Sequence, residues 1–93
     1  MVRHIVMWKF RAGTEKKQRV FLTKLQELQS VIPQLLRCEV AVGIGEDNYD
    51  AVLISEFENM ESLEMYKNDS RHKLVSELCN SIRENRVAVD YEF

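Results

Sequence analysis

The stretch that most constrains the fold is the first apolar segment, residues 4–10. Successive side chains of a strand point to opposite faces, which puts His4, Val6, Trp8 and Phe10 on one face and Ile5, Met7 and Lys9 on the other. Both faces are largely apolar, so both need to be covered. The pattern therefore predicts a central strand of a sheet, with helices on one side and a different partner on the other.

The composition indicates one small globular domain that spans residues 1–93. The chain is 45% hydrophobic and 30% charged, which is typical of a folded soluble protein. A core of this size is marginal by itself, so a partner subunit would stabilise it. The net charge of −2 gives no electrostatic reason to bind nucleic acid, and no apolar run approaches the roughly 20 residues that span a membrane. The N-terminus lacks the apolar segment of a signal peptide, so we expect a cytoplasmic protein.

Helical and strand patterns alternate along the rest of the chain. The predicted elements are a strand at 3–11, a helix at 15–30, strands at 35–42 and 51–57, helices at 60–67 and 70–84, and a strand at 86–93. Thr14, Asn59 and either Asp69 or Ser70 are suited to cap the helices, and Pro33 prevents the first helix from continuing. The short glycine-containing connection at 43–48 favours an antiparallel hairpin.

This order predicts an α+β fold, a four-stranded antiparallel sheet with helices on one face. The helix-covered face is expected to carry His4, Val6, Trp8, Phe10, Cys38, Val40, Val89 and Tyr91. The opposite face would carry Ile5, Met7, Val52 and Ile54, mixed with Lys9, Glu39, Glu56 and Asp90. Such a face is too apolar to leave in water, so we expect two copies to associate across it as a homodimer.

Several short motifs resemble those of the stress-responsive A/B barrel family, which belongs to the dimeric α+β barrel superfamily. The resemblance covers nearly the whole chain, through His4-Ile5-Val6-Met7-Trp8-Lys9-Phe10, Ile32-Pro33, Tyr49-Asp50, Ser55-Glu56-Phe57-Glu58, Tyr66-Lys67-Asn68, His72 and Val89-Asp90-Tyr91-Glu92. It implies ferredoxin-like subunits whose sheets pair into a dimeric barrel. Most members have no known activity, some plant members are induced by stress, and others are polyketide cyclases.

The resemblance also implies a candidate site. The cyclases use a histidine base and a preceding tyrosine, and His72 and Tyr66 stand at those positions. Pocket positions of the cyclases correspond to His4, Val6, Trp8, Phe21 and Leu25. This chain departs from the family where Asn68-Asp69-Ser70-Arg71-His72 lacks the histidine and the proline that often precede the base.

The residue types themselves fit aldol-type chemistry. Such a reaction needs a base that is neutral near pH 7 and a hydrogen-bond donor for the enolate oxygen, which an imidazole and a phenol supply. The alternative is purely structural: His4 bonds the backbone, Tyr66 packs in the core and His72 lies at the surface.

Two readings of the interior also stay open. Val6, Trp8, Phe21, Leu25, Leu78 and Ile82 either line a cavity between sheet and helices or fill a solid core. Cys38 and Cys79 are expected to be free and buried. Because the histidines and cysteines are scattered singly, we expect no metal site and no cofactor.

Two hypotheses about function follow. The preferred one is a non-catalytic binding or stress-associated protein with a pocket for a small apolar ligand. The other is a cyclase-like enzyme that acts on a polyketide-like carbonyl compound with His72 and Tyr66.

Overall fold

The computed structural model describes all 93 residues, which form four strands and three helices. The elements are β1 (Val2–Phe10), α1 (Glu15–Glu27), a 3-10 turn (Leu28–Ser30), β2 (Arg37–Val42), β3 (Ala51–Phe57), α2 (Met60–Asn68), α3 (Ser70–Ile82) and β4 (Arg83–Glu92). The predicted elements are all present. The largest difference is that β4 begins at Arg83, because the backbone turns from helical to extended at that residue.

The four strands form one antiparallel sheet in the order β2-β3-β1-β4. The predicted fold class is confirmed, and β1 is a central strand as expected. A hairpin joins β2 to β3, where Gly43 donates its N–H to the carbonyl of Asp50 at 2.8 Å. A Cβ at Gly43 would lie 2.6 Å from the carbonyl oxygen of Tyr49, so a residue with a side chain does not fit there.

The helix caps agree with the sequence in two cases of three. Asn59 accepts from the N–H of Ser62 at 2.9 Å, and Asp69 accepts from the N–H of Arg71 at 2.8 Å. Thr14 was expected to do the same for α1, and that prediction is wrong. Its hydroxyl donates to the carbonyl of Arg11 instead, because its backbone does not have the extended conformation of a capping residue.

The helices cover one face of the sheet and form the core with it. The side chains of Val6, Phe21, Leu63 and Ile82 are almost completely buried between the two layers. The expected positions His4, Val6, Trp8, Phe10 and Cys38 all lie on this face and are buried. No helix is long and apolar enough to cross a membrane.

The face assigned to β4 from sequence is wrong. Val89 pairs with Ile5 and Tyr91 pairs with Arg3, so both side chains lie on the face away from the helices. Asp90 pairs with His4 and lies on the helix side. Paired residues of antiparallel strands share a face. The alternation of side chains along β4 does not by itself give the register of β4 against β1, which is set by the tertiary structure.

The face away from the helices is an exposed apolar surface, which we call the open face. It carries Ile5, Met7, Val52, Ile54, Val87, Val89 and Tyr91. Met7 is 39% exposed and Val89 is 54% exposed. At one end of this face Glu56 accepts hydrogen bonds from both Arg3 and Arg37, each with a shortest distance of 2.9 Å.

We predict that Leu63→Ala lowers the free energy of unfolding by about 2–5 kcal/mol, because Leu63 has no exposed surface and its loss leaves a cavity. Leu74→Ala is the matched control. Leu74 also lies in a helix but is 67% exposed, so the change is expected to stay within about 0.5 kcal/mol. Urea unfolding at one protein concentration measures both values, and equal losses in the two variants would contradict this packing.

Candidate functional site

A cavity of about 250 Å³ lies between the helix-covered face of the sheet and helices α1 and α3. Its walls include His4, Val6 and Trp8 from β1, Phe21 and Leu25 from α1, and His72 from α3. The fold therefore brings six of the seven residues singled out for a pocket or for catalysis around one space. Tyr66 does not line the cavity, but its ring contacts the ring of His72.

Two residues that the sequence assigned either to a cavity wall or to a solid core do not line the cavity. Leu78 faces a shallow groove on the outside of α1 and α3, and Ile82 is fully buried in the core. Both belong to the apolar stripe of α3, and only some of the residues in that stripe face the cavity.

His4 and Asp90 form a hydrogen-bonded pair between the two paired strands. Nδ1 of His4 lies 2.5 Å from Oδ1 of Asp90. The other carboxylate oxygen lies 3.8 Å from Nζ of Lys67. Burial lowers the pKa of His4 even though Asp90 opposes the shift, so the ring is neutral near pH 7. A neutral ring that donates from Nδ1 to a carboxylate keeps its lone pair on Nε2, where it can accept a proton.

His72 is the second neutral imidazole of the site. Burial lowers its pKa as well, so it is also an unprotonated base near neutral pH. Its ring stacks at a tilt on Tyr66, with 4.3 Å between the ring centroids. Tyr66 is completely buried between His72 and Phe57, and burial raises the pKa of its phenol, which stays protonated.

Three buried polar atoms in this region have no hydrogen-bond partner: Nε1 of Trp8, the hydroxyl oxygen of Tyr66 and Nδ1 of His72. A buried polar atom without a partner costs about 1–3 kcal/mol, and native proteins rarely leave several close together. Trp8 and His72 both line the cavity, and Tyr66 touches His72. The region therefore has polar atoms that are available to form hydrogen bonds with a bound polar molecule.

Sequence reasoning missed three residues of the site. Asp90 was assigned to the opposite face, and Arg83 and Arg86, which line the cavity, were not considered. The signal that identifies all three is the register between β1 and β4, which pairs His4 with Asp90 and Trp8 with Arg86.

The cysteines and acidic groups provide no second site of this kind. Cys38 and Cys79 are free and buried, and burial raises the pKa of each thiol to about 11, which keeps both protonated. No group of three or more histidine, cysteine or acidic side chains is close enough together to hold a metal ion.

We expect stability to fall as the pH drops below about 6.5. Burial holds the pKa values of His4 and His72 below their ordinary value, so the unfolded chain takes up these protons at a higher pH than the native chain. The free energy of unfolding should then decrease by at most about 1.4 kcal/mol per pH unit for each histidine.

Urea unfolding at a series of pH values between about 5.5 and 7.5, at one protein concentration, measures this dependence. His72→Gln removes one titrating group and should flatten the slope. Glu61→Gln changes an exposed side chain of α2 and should not alter the slope. An unchanged slope in the His72 variant would mean that this ring titrates alike in the folded and unfolded states.

Comparison with known proteins gives a family for the chain. The model of the Dabb family, the stress responsive A/B barrel domain, matches residues 2–93. No curated protein sequence matches the chain.

Solved structures show the same fold. A dimeric protein of unknown function and ferredoxin-like fold from Bacteroides fragilis is 28% identical, with a TM-score of 0.88 over 99% of this chain and 95% of that one. A Dabb family protein from Mesorhizobium loti is 20% identical, with a TM-score of 0.83 over 99% and 95% of the two chains. A hydroxynitrile lyase from Passiflora edulis is 16% identical, with a TM-score of 0.86 over 97% and 90%.

The last two likenesses show the fold alone, whereas the family model matches nearly every residue from the first strand to the last. The chain therefore belongs to the stress responsive A/B barrel domain family.

Proposed function

We propose that this protein is an acid–base catalyst that removes a proton from the carbon beside a carbonyl group of a small, partly apolar molecule. The observation that carries the proposal is the presence of two histidines whose pKa values burial lowers, His4 and His72, in the wall of one cavity that mixes apolar and polar residues. A carbonyl compound of the polyketide type, closed by an aldol-type step, is one substrate of this chemistry.

His72 is the proposed base. Its buried Nδ1 has no partner in the protein, and its lowered pKa keeps the ring unprotonated at neutral pH. In the reaction the C–H bond breaks, the proton moves to the imidazole nitrogen, and the electron pair enters the enolate. Tyr66 supports the base by stacking against its ring and holding it in one orientation.

The enolate oxygen needs hydrogen-bond donors that do not have to be drawn away from other partners. The indole N–H of Trp8 is a buried donor without an acceptor, and Trp8 lines the same cavity as His72. Donors that are already in place stabilise a developing negative charge strongly in a site that excludes water. His4, oriented by Asp90, supplies a second group that can take or return a proton.

A second candidate is binding without catalysis. Trp8 and Phe21 meet edge to face, with 5.2 Å between their centroids, and fill part of the interior. The remaining 250 Å³ lies below the usual range of ligand pockets, about 300–1,000 Å³. On this reading the protein holds a small ligand, in keeping with a stress-associated role, and the histidines only bind it.

We also propose that the protein works as a homodimer that pairs the open faces of two copies. The face carries seven large apolar side chains in adjacent strands, and a relative at 28% identity is described as dimeric. A twofold axis covers such a face on both copies at once. The cavity lies on the other side of the sheet, so pairing leaves it accessible.

Proton exchange in deuterated water tests the catalytic proposal. The protein should accelerate exchange of the methyl protons of pyruvate or acetophenone, measured by proton NMR. His72→Gln should lower the rate by about 10²–10⁴-fold, the usual contribution of a general base. Tyr66→Phe should have a smaller effect, and Tyr49→Phe, outside the cavity, should have none.

The same experiment separates the two candidates. Binding of either compound without accelerated exchange favours the non-catalytic protein. Exchange that His72→Gln leaves unchanged, in a variant that still folds by circular dichroism, contradicts the assignment of the base.

Light scattering tests the homodimer. We expect a dimer at micromolar concentration, and we expect Val89→Lys to give a monomer because it buries a charge in the centre of an apolar interface. Leu74→Lys is the matched control, since Leu74 is exposed on the helix side and should leave the dimer intact. A wild-type monomer, or a dimer unaffected by Val89→Lys, would contradict pairing through this face.

A further inference from the structure

The cavity has a closed end and a charged entrance. His4 and Val6 are 4% and 1% exposed, so the space ends at the centre of β1. Arg83 is half-buried, Arg86 is exposed, and both line the cavity from β4. Both arginines are therefore among the lining residues that solvent reaches.

These two arginines have no partner within the protein. The cationic side chains that form ion pairs are Arg3, Arg37, Lys67 and Arg71. The chain contains 15 acidic residues and has a net charge of −2, yet no acidic side chain lines this cavity. The entrance is thus a local positive site on a protein that is otherwise slightly negative.

We propose that the ligand carries a carboxylate, which Arg83 and Arg86 bind at the entrance while the rest of the molecule lies between them and the histidines. The proposal deepens the function proposed above and rests on it for the identity of the reacting group. The planar guanidinium presents paired N–H donors that match the two oxygens of a carboxylate.

The other walls limit what the anion is attached to. The lining from β1 and α1 is apolar, with Val6, Trp8, Phe21 and Leu25, whereas α3 also contributes the polar residues Ser76 and Asn80, so the middle of the ligand is apolar on the side that meets β1 and α1. The cavity volume of 250 Å³ lies just below the usual range of about 300–1,000 Å³, which favours a small ligand. The geometry fits a small keto acid, aliphatic or aromatic: an anion at the entrance, a short apolar part, and a carbonyl at His72.

The electrostatics of the site agree with this arrangement. Burial is the main cause of the pKa shifts of His4, His72 and Tyr66; the charge of Arg86 adds to the lowering at both histidines and opposes the rise at Tyr66. One guanidinium is therefore close enough to influence all three groups. A bound carboxylate would offset that charge and raise the affinity of the base for a proton as the substrate arrives.

Benzoate and benzamide, which have nearly the same shape but differ in charge, test the proposal in the full-length protein. Chemical shifts of the backbone amides and of the two imidazoles, followed during titration, report where and how tightly each binds. We expect benzoate to bind at least fivefold more tightly than benzamide and to shift His72. Arg83→Ala and Arg86→Ala should each weaken benzoate at least fivefold without affecting benzamide.

Two controls identify the source of any change. Arg19→Ala removes the same charge from an exposed site on α1 and should leave benzoate binding unaltered. Inorganic phosphate, an anion without an apolar part, should not displace benzoate at equal concentration. Equal binding of the two aromatic compounds, absence of benzoate binding, displacement by phosphate, or an effect of Arg19→Ala equal to that of Arg86→Ala would each overturn the proposal.

The result of the benzoate-binding experiment can be distinguished from the result of the proton-exchange experiment. Benzoate binding that depends on both arginines, together with no proton exchange, supports the carboxylate site and removes the catalytic function. Proton exchange that is equally fast for acetophenone and pyruvate, and equal in Arg86→Ala, supports catalysis and removes the carboxylate site.

Discussion

The pairing of β4 with β1 is the interaction on which the rest of the structure depends. Its register sets Asp90 opposite His4 and Arg86 opposite Trp8, and both partners then lie on the face beneath the helices. The same register turns Val87, Val89 and Tyr91 outward beside Ile5 and Met7. A shift of one residue would reverse every one of these positions, because side chains of a strand alternate with a period of two.

Polar groups in the interior distinguish this site from an ordinary core. A core residue such as Phe57 or Leu63 contributes by excluding water, and a polar atom beside it normally has a partner. Here the His4 ring has its carboxylate, whereas Nδ1 of His72, the hydroxyl of Tyr66 and Nε1 of Trp8 have none. Trp8 and His72 line the cavity between the helices and the sheet, and Tyr66 packs against His72.

The two faces of the sheet carry different kinds of residues. The helix side holds the cavity, and burial on that side is what keeps both histidines neutral. The open face has no such groups among its central residues and presents a broad apolar surface, with Arg3, Glu56 and Arg37 linked at one end. Solved structures that resemble the chain share its fold.

The order of the elements, the fold class, the burial of the His4 face and the open face of Ile5, Met7, Val52 and Ile54 could all be predicted from the sequence. These follow from local periodicity and capping, which are properties of neighbouring residues. The gathering of His72, Phe21 and Leu25 around His4 came from the family resemblance, since nothing local relates positions so far apart.

Three features follow only from the folded structure: which face of β4 meets the helices, the position of Leu78 outside the cavity, and the partners of Asp90. Alternation along β4 shows which residues share a face but not which face meets the helices, because that choice is made by hydrogen bonds to a strand more than 70 residues away.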